Sequence, residues 1–414
     1  MKRELLKEVE HMRNRYYDVI VVGSRCAGST TALLLARRGL RVLLLDRAHF
    51  PSDTLSTHTL QLSGLAYLER WGLLERVRAS GCPPFRRVSL DFGSFMLAGS
   101  PPPAETISET LCCRRIVLDL ILLEEAIRAG VEWLEGATVL ELLQEHDQIV
   151  GIRGRTATGG QISERARLII GADGMNSRIA RLVGSAMYHA IPSLTFSYYS
   201  YWQGISLSHA ELFVRDGCAM AMVPTNDNLV IVVVQRRLHE FTCFRENIEK
   251  NFMLSLQAIP RVADMVLSGE RVERFRGTAY QPNFLRQPWG KGWILVGDAS
   301  CHKDSVTAQG ISDAFHDAAS VAEAVWRGLT GEESLEESLR QHQRRRDKRI
   351  MPIYRRAVAM AQLQVPQGPI AQFLRSLQDD QAQMDRFFGL DAGTVDIDTF
   401  FPAFDTSENS FGSP

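Results

Sequence analysis

Gly23 and Gly28 bracket the loop Gly23-Ser24-Arg25-Cys26-Ala27-Gly28, and Asp46 follows eighteen residues after the second glycine. Glycines let a backbone approach a pyrophosphate, and the start of a following helix offers unpaired N–H groups with partial positive charge. An acid about 20 residues further on suits a ribose hydroxyl. The chemistry predicted is therefore dinucleotide binding by Gly23, Arg25, Cys26, Ala27, Gly28, Asp46 and Arg47. Arg25 stands where the G-x-G-x-x-G pattern has its second glycine. The same spacing fits a P-loop, but Ser29 holds the place of the required Lys, which argues against nucleotide hydrolysis. Cys26 reads as a small packing residue, since nothing around it suggests a lowered thiol pKa.

The elements that must position these groups are also legible. Asp18 to Val22 is a short β-branched run of the kind that forms buried parallel strands. Ser29 to Arg38 is rich in helix formers, and Gly39 suits a helix stop. Arg41 to Leu45 is a second strand that delivers Asp46. The unit is strand, glycine loop, helix, strand, acid.

Two further turns follow apolar strands: Gly171-Ala172-Asp173-Gly174-Met175-Asn176-Ser177-Arg178, and Gly297-Asp298-Ala299 with Gln309-Gly310-Ile311 downstream. With Gly23 to Asp46, their order resembles the FAD-dependent monooxygenases of the p-hydroxybenzoate-hydroxylase fold, over about residues 16 to 330. Flavin halogenases and geranylgeranyl reductases belong to that superfamily. The resemblance implies an α/β fold with an α+β substrate part. A discontinuous Rossmann-like FAD-binding domain is expected over 16–80, 105–185 and 275–330. A mixed-sheet substrate domain is expected over 81–104 and 186–274, and a C-terminal helical region over 331–400. Residues 1–15 and 405–414 read as flexible tails. By the same resemblance Asp298 binds the ribityl chain, and Arg115 contacts FAD. Asp173 and Gly174 serve FAD and NAD(P)H. Gln309, Gly310 and Ile311 open a helix aimed at the flavin pyrimidine. Taken singly, Asp173 and Asp298 also fit as helix N-caps.

Phe50-Pro51, with Ser56-Thr57-His58 downstream, resembles the halogenase and geranylgeranyl-reductase branch, where this stretch packs on the isoalloxazine. Thr57 is placed at the cofactor on that basis. Halogenases carry Gly-Glu-Ser there and a W-x-W-x-I-P motif elsewhere; this chain has neither. His58, His302 and Lys303 are the candidate catalytic groups, His58 being either an acid–base partner or a structural loop residue. Ser305 stands where relatives have Pro.

Thr195 to Trp202 has high β propensity, and Glu211–Val214, Ala219–Val223 and Leu229–Gln235 read as further strands. Such a sheet would cover the flavin. Phe196, Tyr198, Trp202, Met222 and Pro224 are the expected lining of a largely apolar substrate pocket, though each also fits as sheet core.

Composition bounds the rest. The chain has 414 residues and a formal net charge of −1, which argues against wholesale nucleic-acid binding. Seven scattered cysteines form neither a disulfide framework nor a metal site and suggest a reducing, cytoplasmic setting. The mixed-charge N-terminus does not read as a signal peptide, and no apolar run approaches the roughly 18 residues of a membrane span. Arg340 to Arg356 carries eight basic residues against one acid and reads as a solvated helix face.

The expected function is an FAD monooxygenase. NAD(P)H would reduce the flavin, and O2 would add at its C4a position to give a hydroperoxide. That species would hydroxylate or epoxidise a hydrophobic small molecule of aromatic or polyketide type. The alternative is a reductase or oxidase of the same branch that inserts no oxygen. A halogenase and a non-catalytic nucleotide-binding module are weaker readings. Substrate identity, NADH or NADPH, the need for a separate partner reductase and the oligomeric state are not legible.

Overall fold

The computed structural model describes residues 16–401. The expectations for residues 1–15 and 405–414 lie outside the described residues.

Strand β1 (Tyr16–Val22) leads through a tight loop into helix α1 (Cys26–Ala36) and then strand β2 (Val42–Leu45). Helix α2 (Arg115–Arg128) and strand β3 (Gln161–Gly171) come later in the chain but pack beside this unit. β1 pairs in parallel with β2 on one side and β3 on the other. Glu132–Leu134 extends the sheet beyond β2, and Trp293–Leu295 extends it beyond β3. β1 is buried on both faces, which is why its sequence shows an unbroken β-branched run rather than alternation. Val19 and Val21 pack toward helices, while Ile20 and Val22 pack toward the hairpin Ala137–Glu145 and Gln148–Thr156. This places the β1–α1 loop, Asp46 and the end of β3 at the carboxyl ends of parallel strands, where α/β folds bind ligands.

A second sheet is built on β4 (Thr195–Gln203) and β5 (Leu229–Arg237). It continues through Cys218–Thr225, Ala210–Arg215, Val88–Asp91 and Met96–Gly99. Arg276–Thr278 also pairs with β4, so this stretch joins the second sheet rather than the first, where the sequence reading put residues 275–330. Its backbone bonds go to Ser197, Tyr198 and Tyr199, and register rather than sequence position decides the layer.

Helix α3 (Gly310–Thr330) buries Ile311, Ala314, Phe315, Ala318, Val321, Ala322 and Val325 on one face, the set its 3.6-residue period marks out. Helix α4 (Leu335–Met360) packs against it. Helix α5 (Gln381–Ala392) and Gly368–Ser376 cover the edge of the second sheet, with Phe387, Phe388 and Leu374 against Leu90, Phe92 and Leu97. The basic run in α4 is not a uniformly solvated face. Arg346 is only 4 % exposed, and Arg356 is held by both carboxylate oxygens of Asp391 at 2.9 Å. Fixed carboxylate and hydroxyl partners on neighbouring elements draw these cations inward. No helix among the described residues is long and apolar enough to cross a membrane.

Candidate functional site

The β1–α1 loop has no room for side chains at its two glycines. Gly23 has φ +103°, and a Cβ there would sit 2.4 Å from the Ala172 carbonyl oxygen. A Cβ on Gly28 would sit 1.7 Å from the Gly23 carbonyl oxygen. Gly23 lines the cavity, whereas Gly28 lies behind it and lets α1 pack closely on the loop. Arg25 fits without glycine's freedom because its backbone is extended, φ −91° and ψ −161°. Its guanidinium turns aside to the Asp119 carboxylate at 2.9 Å, the Ser52 hydroxyl at 3.0 Å and the Ser52 carbonyl at 3.2 Å. The break in the glycine pattern is therefore a structural tie between α2 and the 46–57 segment.

Asp119, fully buried on α2, gathers this side of the site. It accepts from Arg25, from Arg115 Nε at 2.9 Å and from the Cys26 thiol at 3.3 Å. Burial pushes the Cys26 thiol up, so it is an inert packing group. Sequence reasoning passed over Asp119, although its i, i+4 spacing from Arg115 was available. Asp46 holds its own loop: Oδ2 accepts the Ser24 N–H at 2.8 Å and Oδ1 accepts the Ala48 N–H at 2.8 Å.

One cavity of about 850 Å³ joins these groups to the second and third motifs. Of the candidate cofactor residues, Gly23, Arg25, Cys26, Ala27, Asp46, Arg47, Thr57, Arg115, Asp173, Gly174, Gly297, Asp298, Gly310 and Ile311 all line it. Gln309 does not: its amide donates to the Leu390 and Asp391 carbonyls of α5 and is pulled away from the cavity. Asp173 is the N-terminal brace of a short helix, accepting from Ser177 Oγ at 2.5 Å and from the N–H groups of Arg178 and Ile179. Asp298 is exposed in the cavity and forms no hydrogen bond among the described residues. Asp317, on α3, accepts the Gly297 N–H at 2.8 Å and fixes the turn that presents Asp298.

His302 and Lys303 line the cavity as well. His302 donates from Nδ1 to the Pro282 carbonyl, and Lys303 pairs with Asp313. Arg349 also holds Asp313, at 3.0 Å. Burial alone would raise the Asp313 carboxyl, but Lys303 and Arg349 hold it down to about 2. In place of the expected Pro, Ser305 opens a short 3₁₀ turn capped by Asp304, which accepts the Val306 N–H at 3.1 Å.

His58 is not at the cavity wall. It is fully buried, with φ +62°. Nδ1 accepts the Arg115 backbone N–H at 3.2 Å, so Nε2 carries the proton and donates to Tyr201 Oη at 2.5 Å. Burial first, then the cations of Arg115, Arg114 and Arg276, push its pKa far down and keep it neutral. It is a structural residue, not an acid–base group at the ligand.

The expected substrate pocket is also revised. Phe196, Tyr198, Trp202 and Met222 face away from the cavity, into a core with Phe244, Phe252 and Val262. Pro224 is buried and does not line this cavity either. The helices Phe241–Glu246, Ile248–Leu256 and Pro260–Ser268 cover that face and claim its aromatic rings. The opposite parity supplies the wall: Ser197, Tyr199 and Val233, joined by Gln281, Asp304 and Ser305. This wall sets one aromatic ring, Tyr199, beside a hydrogen-bonded polar cluster. Gln281 donates to Ser197 at 3.1 Å and accepts from Ser305 at 2.7 Å, and Asp304 accepts from Thr195 and Gln235 at 2.6 Å each. Met175, Asn176 and Arg178 of the Gly171–Arg178 motif line the wall as well, and wall residues that the sequence reading missed include Arg181, Arg346 and Arg349.

The cavity fits a dinucleotide as large as FAD. Its volume lies in the upper part of the ~300–1,000 Å³ range of ligand clefts. The starts of α1 and α3 both face it without a side-chain cap, leaving N–H donors free for oxygen ligands. A Cβ at Gly310 would meet nothing within 4 Å, so space is kept clear at the α3 start.

The family model for the FAD binding domain matches residues 16–357. A tryptophan 2-halogenase from Chondromyces crocatus is 25 % identical over 337 residues, covering 79 % of this chain and 64 % of that protein, just under two-thirds of its length. A 6-methylpretetramide 4-monooxygenase from Streptomyces rimosus is 25 % identical over 343 residues, covering 75 % of this chain and 76 % of that protein. Among solved structures, the flavin-dependent brominase Bmp2 shares the fold with a TM-score of 0.81 at 18 % identity, covering 93 % of this chain and 96 % of that one. The chain belongs to the FAD binding domain family, among the FAD-dependent oxidoreductases of the p-hydroxybenzoate-hydroxylase fold.

Proposed function

We propose that the protein is a monooxygenase that uses NAD(P)H and O2 to oxygenate a small organic substrate. The observation that carries this reading is the shared cavity. The dinucleotide loop and the second-sheet residues Ser197, Tyr199 and Val233 wall the same space, so a molecule against the sheet lies beside the bound cofactor. When bound, FAD supplies the two-electron chemistry that couples NAD(P)H to O2.

The chain's own residues have positioning and electrostatic work. Gly23 and the free N–H groups at the start of α1 would hold the pyrophosphate. Asp298 would accept a ribityl hydroxyl. The positive end of α3 favours negative charge on a ring placed against Gly310 and Ile311. The second sheet closes the far side of the cavity and limits water there. Ser197, Gln281 and Ser305 offer hydrogen bonds to a polar edge of the substrate. The substrate expected is therefore mixed in character rather than a plain hydrocarbon.

The test is product analysis under labelled O2. FAD-loaded protein, NADPH or NADH, and a panel of phenolic and polyketide-type compounds would be incubated with 18O2. One 18O atom in the product supports the reading. Turnover with no label would replace it by a reductase or oxidase reading of the same site.

A further inference from the structure

The face of α4 that looks toward the cofactor cavity carries two arginines with fixed partners there. Arg346 donates to Ser300 Oγ at 2.6 Å, to the Arg286 carbonyl at 3.1 Å and to Tyr188 Oη at 2.5 Å. Its charge is met by the neighbouring Asp347 at 2.7 Å. Ser300 closes the Gly297 turn, its N–H donating to the Gly297 carbonyl at 2.8 Å. The opposite side of the same turn is held by Asp317, through the Gly297 N–H. One turn farther along α4, Arg349 holds Asp313 in the first turn of α3. Both arginines reach the cavity wall.

We infer that α4 is a brace for the cofactor: Arg346, acting through Ser300, is a positioning residue for the Gly297–Asp298 turn, and Arg349, acting through Asp313, is one for the start of α3. The physical argument is preorganisation. A turn whose backbone N–H, backbone carbonyl and side chain are all bonded does not have to be ordered when the ligand arrives, so less affinity is lost to ordering. Arginine suits the task because its planar fork reaches Ser300, Tyr188 and the Arg286 carbonyl together, which lysine cannot do. The basic run that reads in sequence as a solvated face is thus part of the cofactor site. This inference rests on FAD binding alone and not on oxygen insertion.

The experiment measures FAD affinity and release on full-length protein stripped of flavin and titrated with FAD, alongside thermal unfolding of the same apoprotein. Ser300→Ala removes one hydrogen bond and leaves Arg346 its other partners. It is expected to weaken FAD binding about tenfold, the scale of one bond to a charged group, with faster release and only a small fall in apoprotein melting temperature from the Arg346 Nη1–H left without its acceptor. Arg346→Met should weaken binding further, with Arg346→Lys recovering only part. The double variant Ser300→Ala/Arg346→Met should bind no worse than Arg346→Met, because both act through one contact. If Arg346→Met fails to fold, Ser300→Ala decides. FAD affinity within twofold of wild type in folded Ser300→Ala, or fully additive losses in the double variant, would overturn the inference.

Discussion

His58 Nδ1 accepts the backbone N–H of Arg115 at 3.2 Å, joining the 54–57 wall segment to the first residue of α2. The same ring reaches Tyr201 on β4, so one imidazole links the cofactor-side helix to the second sheet. His58→Ala would leave the buried Arg115 N–H and Tyr201 hydroxyl without partners. The expected cost is about 1–3 kcal/mol of stability per orphaned group, read by denaturant unfolding. Turnover per bound flavin should change far less than stability, since the ring does not line the cavity. A large loss of turnover at unchanged stability would return His58 to the reacting groups.

Acid should destabilise the fold through its buried histidines. Burial pushes His316 down to about 4 and His342 to about 3, with neighbouring arginines adding to both, and His58 is depressed as well. An unfolded histidine titrates near 6.5. The unfolded chain therefore binds more protons between about pH 6.5 and the depressed folded values. Stability is fully present above about 6.5 and is lost as pH falls through that window. Melting temperature should drop steadily from pH 7 toward pH 4, and His342→Gln should flatten the slope. A flat profile over that range would contradict the placement of these rings.

Glycine substitutions should separate packing from ligand contact. Gly28→Ala forces a Cβ against the Gly23 carbonyl and is expected to lower the melting temperature sharply. Gly310→Ala meets no protein atom, so the apoprotein should keep its stability while FAD affinity falls. Equal melting temperatures for the two variants would mean that the β1–α1 packing is wrongly described.

The two faces of β4 make opposite predictions. Phe196→Ala empties a fully buried site and should cost about 3–5 kcal/mol with little change in substrate preference. Val233→Phe narrows the cavity wall and should raise KM or change the preferred substrate. Unchanged kinetics in Val233→Phe would argue that the substrate binds elsewhere.

That contrast also shows what the sequence could carry. The β1–α1 loop and Asp46 are legible from local spacing, whereas the Gly297 and Gly310 segments are marked only by the family resemblance; all of them border the same cavity, with Gly28 lying behind it. The parity of β4 was not legible. Tyr198 and Tyr199 are both buried, so alternation cannot say which face meets a cavity and which meets helices. The ties of Asp119 to Arg25, of Asp317 to Gly297 and of Arg346 to Ser300 span 94, 20 and 46 residues of chain, and only the tertiary fold makes them.

Asp298→Ala should release FAD without unfolding the chain. The carboxylate is exposed in the cavity and forms no hydrogen bond among the described residues, its one noted protein interaction being the charge of Arg115, so its loss removes chiefly a ligand contact. Flavin content after purification and apoprotein melting together check this. Full occupancy in the variant would place the ribityl chain elsewhere.

The most direct test is the visible spectrum of purified protein, recorded without oxygen before and after NADPH and then NADH, and again on admission of air. The expected result is bound oxidised flavin that bleaches with one of the two donors, alone or once substrate is present, and regains its colour with O2. A colourless protein that cannot be reconstituted with FAD, or a flavin that neither donor reduces even with substrate present, would contradict it.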